Sequence, residues 1–205
     1  GAGASIGRYL TPFAYCAITL GLLISLFCEE IIFILTPQIY HGTINITIIL
    51  SMYYGLLFIG KITGIQMLYK KKTAIMSLLI IMTLVCNMLL NIPFILKWGA
   101  IGAAWATFLM GLISVSGFFV IAQRYYVIQW EYKKMACIFL YFFGASISMI
   151  LLREWQYLYV IRFCVKLVFA AGYVFLGIGW GILNKENCSL VKKIIVSKFS
   201  PKIAY

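Results

Sequence analysis

Residues 74–121 read AIMSLLIIMTLVCNMLLNIPFILKWGAIGAAWATFLMGLISVSGFFVI, and Lys97 is the sole charged side chain among them. A helix needs about 20 mostly apolar residues to cross roughly 30 Å of hydrocarbon. Runs this long exceed the length of strands, and a membrane β-barrel would instead alternate apolar and polar residues in segments of about ten. The stretch therefore predicts a pair of membrane helices, about 74–96 and 100–121, joined by a minimal turn at Lys97-Trp98-Gly99.

Outward from this pair the same criterion finds four further runs. They cover about 10–35, closed by Thr36-Pro37, then 44–68, ending at Lys70-Lys71-Lys72, then 135–152 and 157–183. The expected fold is all-α: a polytopic bundle of six transmembrane helices over residues 1–184, followed by a polar, basic tail over 185–205. The composition agrees. Of 205 residues, 64% are hydrophobic and 11% charged, where a soluble domain carries about 25% charged residues. The mean hydropathy is +1.02. A water-soluble globule, a disordered tail and a fibrous repeat are excluded.

There are 17 Lys and Arg against 5 Asp and Glu, a net charge of +12. Arg8, Lys70 to Lys72, Arg124, Lys133, Lys134 and the tail lysines fall on one side of the expected topology, with only Lys97 and Arg153 on the other. Cationic loops mark the cytoplasmic face, so both ends are expected there, as an even number of spans requires. The basic residues sit between apolar runs rather than on one aromatic-laced face, and nucleic acid is not an expected partner. The short connections leave no room for an extramembrane catalytic domain. Of the six cysteines, none forms a C-x-x-C pair and five lie in apolar runs, so they read as small buried hydrophobes. No disulfide framework, metal site or cofactor is expected. His41, beside Gly42, reads as a solvated loop residue. The chain starts at Gly1 without a signal peptide's charged n-region and reads as a piece of something longer.

Some polar residues lie inside the runs. Lys61 is nine residues from Lys70, and Lys166 nine from Tyr157, each about 14 Å along a helix. A lysine near the bilayer centre costs about 2.5–3.5 kcal/mol. Arg162 precedes Lys166 by four and shares its face, with Tyr159, Ala170, Tyr173 and Gly177 on the same stripe. With no intramembrane carboxylate evident at that depth, Lys61, Lys166 and Arg162 are candidate substrate-binding residues lining a water-filled, anion-attracting cavity. The alternative is structural: snorkelling, or pairing with residues outside this chain. Glu29 and Glu30, near the end of the first run, read either as a solvated interfacial end or as a cation-binding pair. Thr83, Asn87 and Asn91 form one polar stripe, and Ala103, Thr107, Gly111 and Ser114 one small stripe. Together they predict a tight helix hairpin bridged by amides.

The segment from Asn87 to Thr107 resembles the signature of the polysaccharide transporter family. It carries Asn87 and Asn91 at a helix end, the apolar Ile92-Pro93-Phe94-Ile95-Leu96, then Lys97-Trp98-Gly99, then Gly102-Ala103-Ala104-Trp105-Ala106-Thr107. The preceding Leu68-Tyr69-Lys70-Lys71-Lys72 and the following Arg124-Tyr125-Tyr126 fit the same pattern. Trp98 stands where tyrosine is usual, and Pro93 sits early. Within this signature Asn87, Asn91, Gly99, Gly102, Ala103, Ala104 and Thr107 are packing residues, not chemistry. The resemblance implies a flippase of the multidrug, oligosaccharidyl-lipid and polysaccharide exporter superfamily. Such a protein has twelve to fourteen spans in two lobes, and this chain would be its C-terminal lobe, partnered by an N-terminal lobe. It implies transport, not enzymatic chemistry: undecaprenyl-pyrophosphate-linked oligosaccharide crossing the bacterial inner membrane by alternating access, the polyprenyl tail remaining among membrane lipids. A cation-coupled multidrug exporter is the alternative within the superfamily. A membrane enzyme of polysaccharide assembly is a further one, disfavoured by the short outer loops.

Overall fold

The computed structural model describes residues 2–182, and of residues 2–6 and 8 the backbone alone. The expected basic tail over 185–205 lies outside the described residues. Among these residues every regular element is helical: α1 (Ala2–Leu35), a short 3-10 helix (Gln38–Thr43), α2 (Ile44–Tyr69), α3 (Thr73–Tyr125), α4 (Tyr132–Glu154) and α5 (Tyr159–Gly179). Five helical segments are long and apolar enough to cross a membrane, an architecture compatible with a multi-pass membrane protein.

Six separate runs were expected, and residues 74–96 and 100–121 instead fall within the single element α3. It is not straight. Gly99 has φ 61° and ψ −139°, a combination that is essentially glycine's alone, and the helical path breaks there. The two arms fold against each other: the Thr83 and Ser114 hydroxyls lie 3.0 Å apart across 31 residues of sequence, where a straight helix would separate them by about 46 Å. Gly102 sits so close to the Phe94 carbonyl that a Cβ there has no room. The arm before Gly99 has no buried residue, whereas the arm after it buries Gly102, Ala104, Ala106, Phe108, Met110 and Gly111.

The core lies between α1, α2 and α4. On α1, Ala14, Ile18, Leu22, Ser25 and Leu26 recur at helical spacing and are buried. On α4, Met135, Ile138, Phe142, Ala145 and Met149 do the same. The Ser25 hydroxyl donates to that of Ser146 at 2.8 Å. Phe142 is wedged against glycines of both neighbouring helices, and a Cβ on Gly55 would stand 2.6 Å from its ring. Lipid removes most of the hydrophobic drive between helices, so close packing of this kind and interhelical hydrogen bonds hold such bundles. Helix α5 is peripheral, packed on α4 and α1.

Three helices end in the same way. After α2, α4 and α5, residues Lys71, Gln156 and Gly181 take positive φ of 55°, 52° and 64°. In each case the next N–H reaches back five residues: Lys72 to Met67, Tyr157 to Leu152 and Ile182 to Gly177. This is the Schellman closure, which satisfies carbonyls left open at a helix end. It also explains why α5 stops at Gly179 and not at the expected 183.

The cysteines depart from expectation. Cys28 is buried, but Cys16, Cys86 and Cys164 are exposed on the outer faces.

Candidate functional site

Helix side chains tilt toward their own N-terminus, and this tilt builds the site. Helices α1 and α5 are antiparallel, since Tyr15 meets Tyr173 and Glu29 meets Lys166. Glu29 and Glu30, in the last turns of α1, therefore lean back into the bundle. Arg162 and Lys166, in the first turns of α5, lean outward to meet them. Lys166 Nζ lies 3.0 Å from Glu29 Oε2 and 2.6 Å from Glu30 Oε1. Arg162 Nη1 lies 3.0 Å from Glu29 Oε1. The Tyr159 hydroxyl donates to Glu30 Oε1 at 2.9 Å, and its ring stands 5.6 Å from Lys166 Nζ and 6.0 Å from Arg162 Cζ.

The side chain of Lys166 is 0% exposed and that of Glu29 6%. Two acids and two bases compensate each other. One oxygen, Glu30 Oε2, and one nitrogen, Arg162 Nε, are buried without a hydrogen-bond partner. This corrects the expectation that Lys166 has no carboxylate at its depth. Glu29 and Glu30 are not the solvated end that the sequence allowed, and as a cation-binding pair they hold the ammonium of Lys166.

The cluster is fixed from two sides. One helical run deeper, the Tyr15 and Tyr173 hydroxyls each donate to the other's carbonyl, at 3.0 and 3.1 Å, and their rings stack at 4.6 Å. The Tyr141 hydroxyl donates to the Phe169 carbonyl at 2.8 Å, tying α5 to α4. At the same end of the bundle, Arg153 of α4 donates to Asn45 Oδ1 and to the His41 carbonyl, at 3.1 and 3.2 Å. His41 is not the freely solvated loop residue expected: its ring packs on Phe33 with centroids 4.2 Å apart, and its Nε2 is buried without a partner.

Lys61 stands apart. It lies on the exposed face of α2, not inside the bundle, and among the described residues it is in no ion pair with a carboxylate. Among these residues the backbones of α5 and α2 do not come close together, and Lys61 is not brought together with Lys166 and Arg162. The signature residues are arranged partly as expected. Gly99 and Gly102 make the break, and Ala104 is buried beyond it. The amides do not bridge the arms: Asn91 donates to Asn87 of its own helix; the Thr107 hydroxyl likewise donates within its own helix, to the Ala103 carbonyl. Gly111 receives the Tyr53 ring of α2 instead of the facing arm.

Chemically, the cluster can hold two helices in register. Through its carboxylates it can also exchange a lysine partner for a proton or a metal cation. It offers no net positive charge to an anion. Comparison with protein-family profiles, with curated proteins and with solved structures finds no match for this chain.

Proposed function

We propose that the chain is the C-terminal lobe of a flippase for polyprenyl-pyrophosphate-linked oligosaccharide in the bacterial inner membrane. In this reading α3 crosses twice, for six spans in all, and both ends lie in the cytoplasm. The observation that carries it is the break at Gly99. The signature from Asn87 to Thr107 calls for a minimal turn at Lys97-Trp98-Gly99, and the backbone reverses there on a glycine-only conformation. Lys61 supports the substrate class. A lysine left on the outer face of an apolar helix is costly against lipid, so at the level of Lys61 α2 borders a polar cavity shared with the N-terminal lobe. There its charge attracts the pyrophosphate. Lys166 and Arg162, expected as substrate ligands, are already neutralised by Glu29 and Glu30. In this account they brace α5 against α1 while the lobe rocks as a rigid body.

A second reading has an observation of its own. Cation-coupled exporters use intramembrane carboxylates, and Glu29, buried, with Glu30, partly buried, is a pair of that kind. The test is the full-length protein reconstituted in vesicles. The flippase reading expects transfer of a polyprenyl-pyrophosphate oligosaccharide between leaflets, lost in Lys61→Ala at unchanged protein level. Absence of transfer, with drug efflux driven by a proton or sodium gradient and abolished by Glu30→Gln, would establish the exporter instead.

A further inference from the structure

The last turns of α2, the start of α1 and the segment after α3 enclose a groove of about 380 Å³ that lies outside the site described above. Leu10, Ile62, Ile65 and Ile128 form its apolar wall, and Tyr69 and Tyr126 line its other end. The wall is preformed. The Gln66 side-chain amide donates to the Tyr126 carbonyl at 2.9 Å, and the Gln123 amide both accepts from the Ile128 N–H at 2.8 Å and donates to its carbonyl at 2.9 Å. These bonds pin the segment after α3 to its neighbours.

The lining is ordered along α2. From Ile62 to Tyr69 the helix advances about 10 Å, passing from isoleucines to a tyrosine. One residue further, Lys70 Nζ stands 5.9 Å from the Tyr69 ring centre and 5.4 Å from that of Tyr126. Lys72 Nζ is 5.2 Å from the Tyr125 ring, and Lys71 and Arg124 adjoin. Hydrocarbon wall, aromatic hydroxyls and clustered cations follow one another in the order of acyl chain, ester and phosphate in a membrane lipid. Tyrosine prefers that interfacial level, and juxtamembrane cations favour an anionic headgroup. A zwitterionic lipid carries its own cation beside the phosphate and gains less from these basic residues.

We propose that this groove binds one acyl chain of an anionic glycerophospholipid, with its phosphate against Lys70. Ile65 and Tyr69 are 62% and 71% exposed and lie one and two turns nearer the basic end of α2 than Lys61, so the groove opens sideways to the bilayer between the level of Lys61 and the headgroups.

The experiment is native mass spectrometry of the full-length protein after detergent exchange with equal amounts of phosphatidylglycerol and phosphatidylcholine. The expected result is preferential retention of phosphatidylglycerol. Lys70→Gln lowers that preference by about fivefold, the effect of one interfacial cation. Ile65→Trp, which fills the groove, abolishes retention, and Leu20→Trp on the exposed face of α1 leaves it unchanged. Ile65 and Leu20 are both exposed, so neither variant disturbs the core. Equal retention of the two lipids, or phosphatidylglycerol retained undiminished by Ile65→Trp, overturns the proposal. So does its displacement by polyprenyl phosphate at equal concentration, which would make the groove a substrate site.

Discussion

The decisive residue is Lys166. As a lone buried cation it would be dispensable for folding, and its removal would ease insertion. With Glu29 and Glu30 at 3.0 and 2.6 Å, the sign reverses. Lys166→Ala leaves two carboxylates facing Arg162 alone, and breaking a buried pair costs about 3–5 kcal/mol. The expected outcome is a large fall in thermal stability of the purified full-length protein in detergent. Lys166→Met combined with Glu30→Gln should recover much of it, because no uncompensated charge remains. Lys61→Ala, on an exposed face, should stay within about 0.5 kcal/mol of the parent. A Lys166→Ala protein as stable as the parent would mean that the cluster holds nothing together. The sequence placed Lys166 and Arg162 on one face, a matter of spacing alone. Their partners were hidden because depth was counted along each helix from its own end. The opposite tilts of side chains on two antiparallel helices close that gap, and this needs the pairing of α1 with α5, separated by more than a hundred residues.

At the scale of elements, helix existence was legible and helix ends were less so. Apolar runs mark what lies in hydrocarbon, but α1 begins at Ala2, eight residues before the apolar run at Leu10, because a helix continues as long as its backbone bonds are satisfied. The closures at Lys71 and Gln156 were not legible, since lysine and glutamine carry no turn signal. They yield a prediction. A non-glycine residue in the left-handed region pays roughly 1–2 kcal/mol, so Gln156→Gly should stabilise the end of α4 by about 1 kcal/mol. Gly99→Ala should destabilise by about 1–3 kcal/mol, because its backbone is closed to other residues. Thermal unfolding of each variant measures both, and the two shifts must have opposite signs. The glycine at 99 was the most readable feature of the chain, because a polar Lys-Trp-Gly interruption between apolar runs leaves few other conformations. The amide stripe misled for a local reason: an asparagine four residues from another bonds within its own helix before it reaches a neighbour.

Across the whole molecule, α3 turns back at Gly99 and α5 is locked to α1. The transport reading depends on that topology, since the alternation of basic connections makes sense only if Lys71 and the segment after α3 share a side. A single pass of α3 would put them on opposite sides and would carry the cluster of α1 and α5 into a different arrangement. The direct measurement is the sidedness of cysteine labelling in a full-length protein freed of its native cysteines. Lys71→Cys, Trp98→Cys and Val127→Cys lie before, at and after the turn, and Trp98 and Val127 are 53% and 67% exposed. A membrane-impermeant maleimide applied to intact cells should label Trp98→Cys alone, with Lys71→Cys and Val127→Cys reacting only after the inner face is opened. Labelling of Lys71→Cys and Val127→Cys from opposite sides would contradict the account.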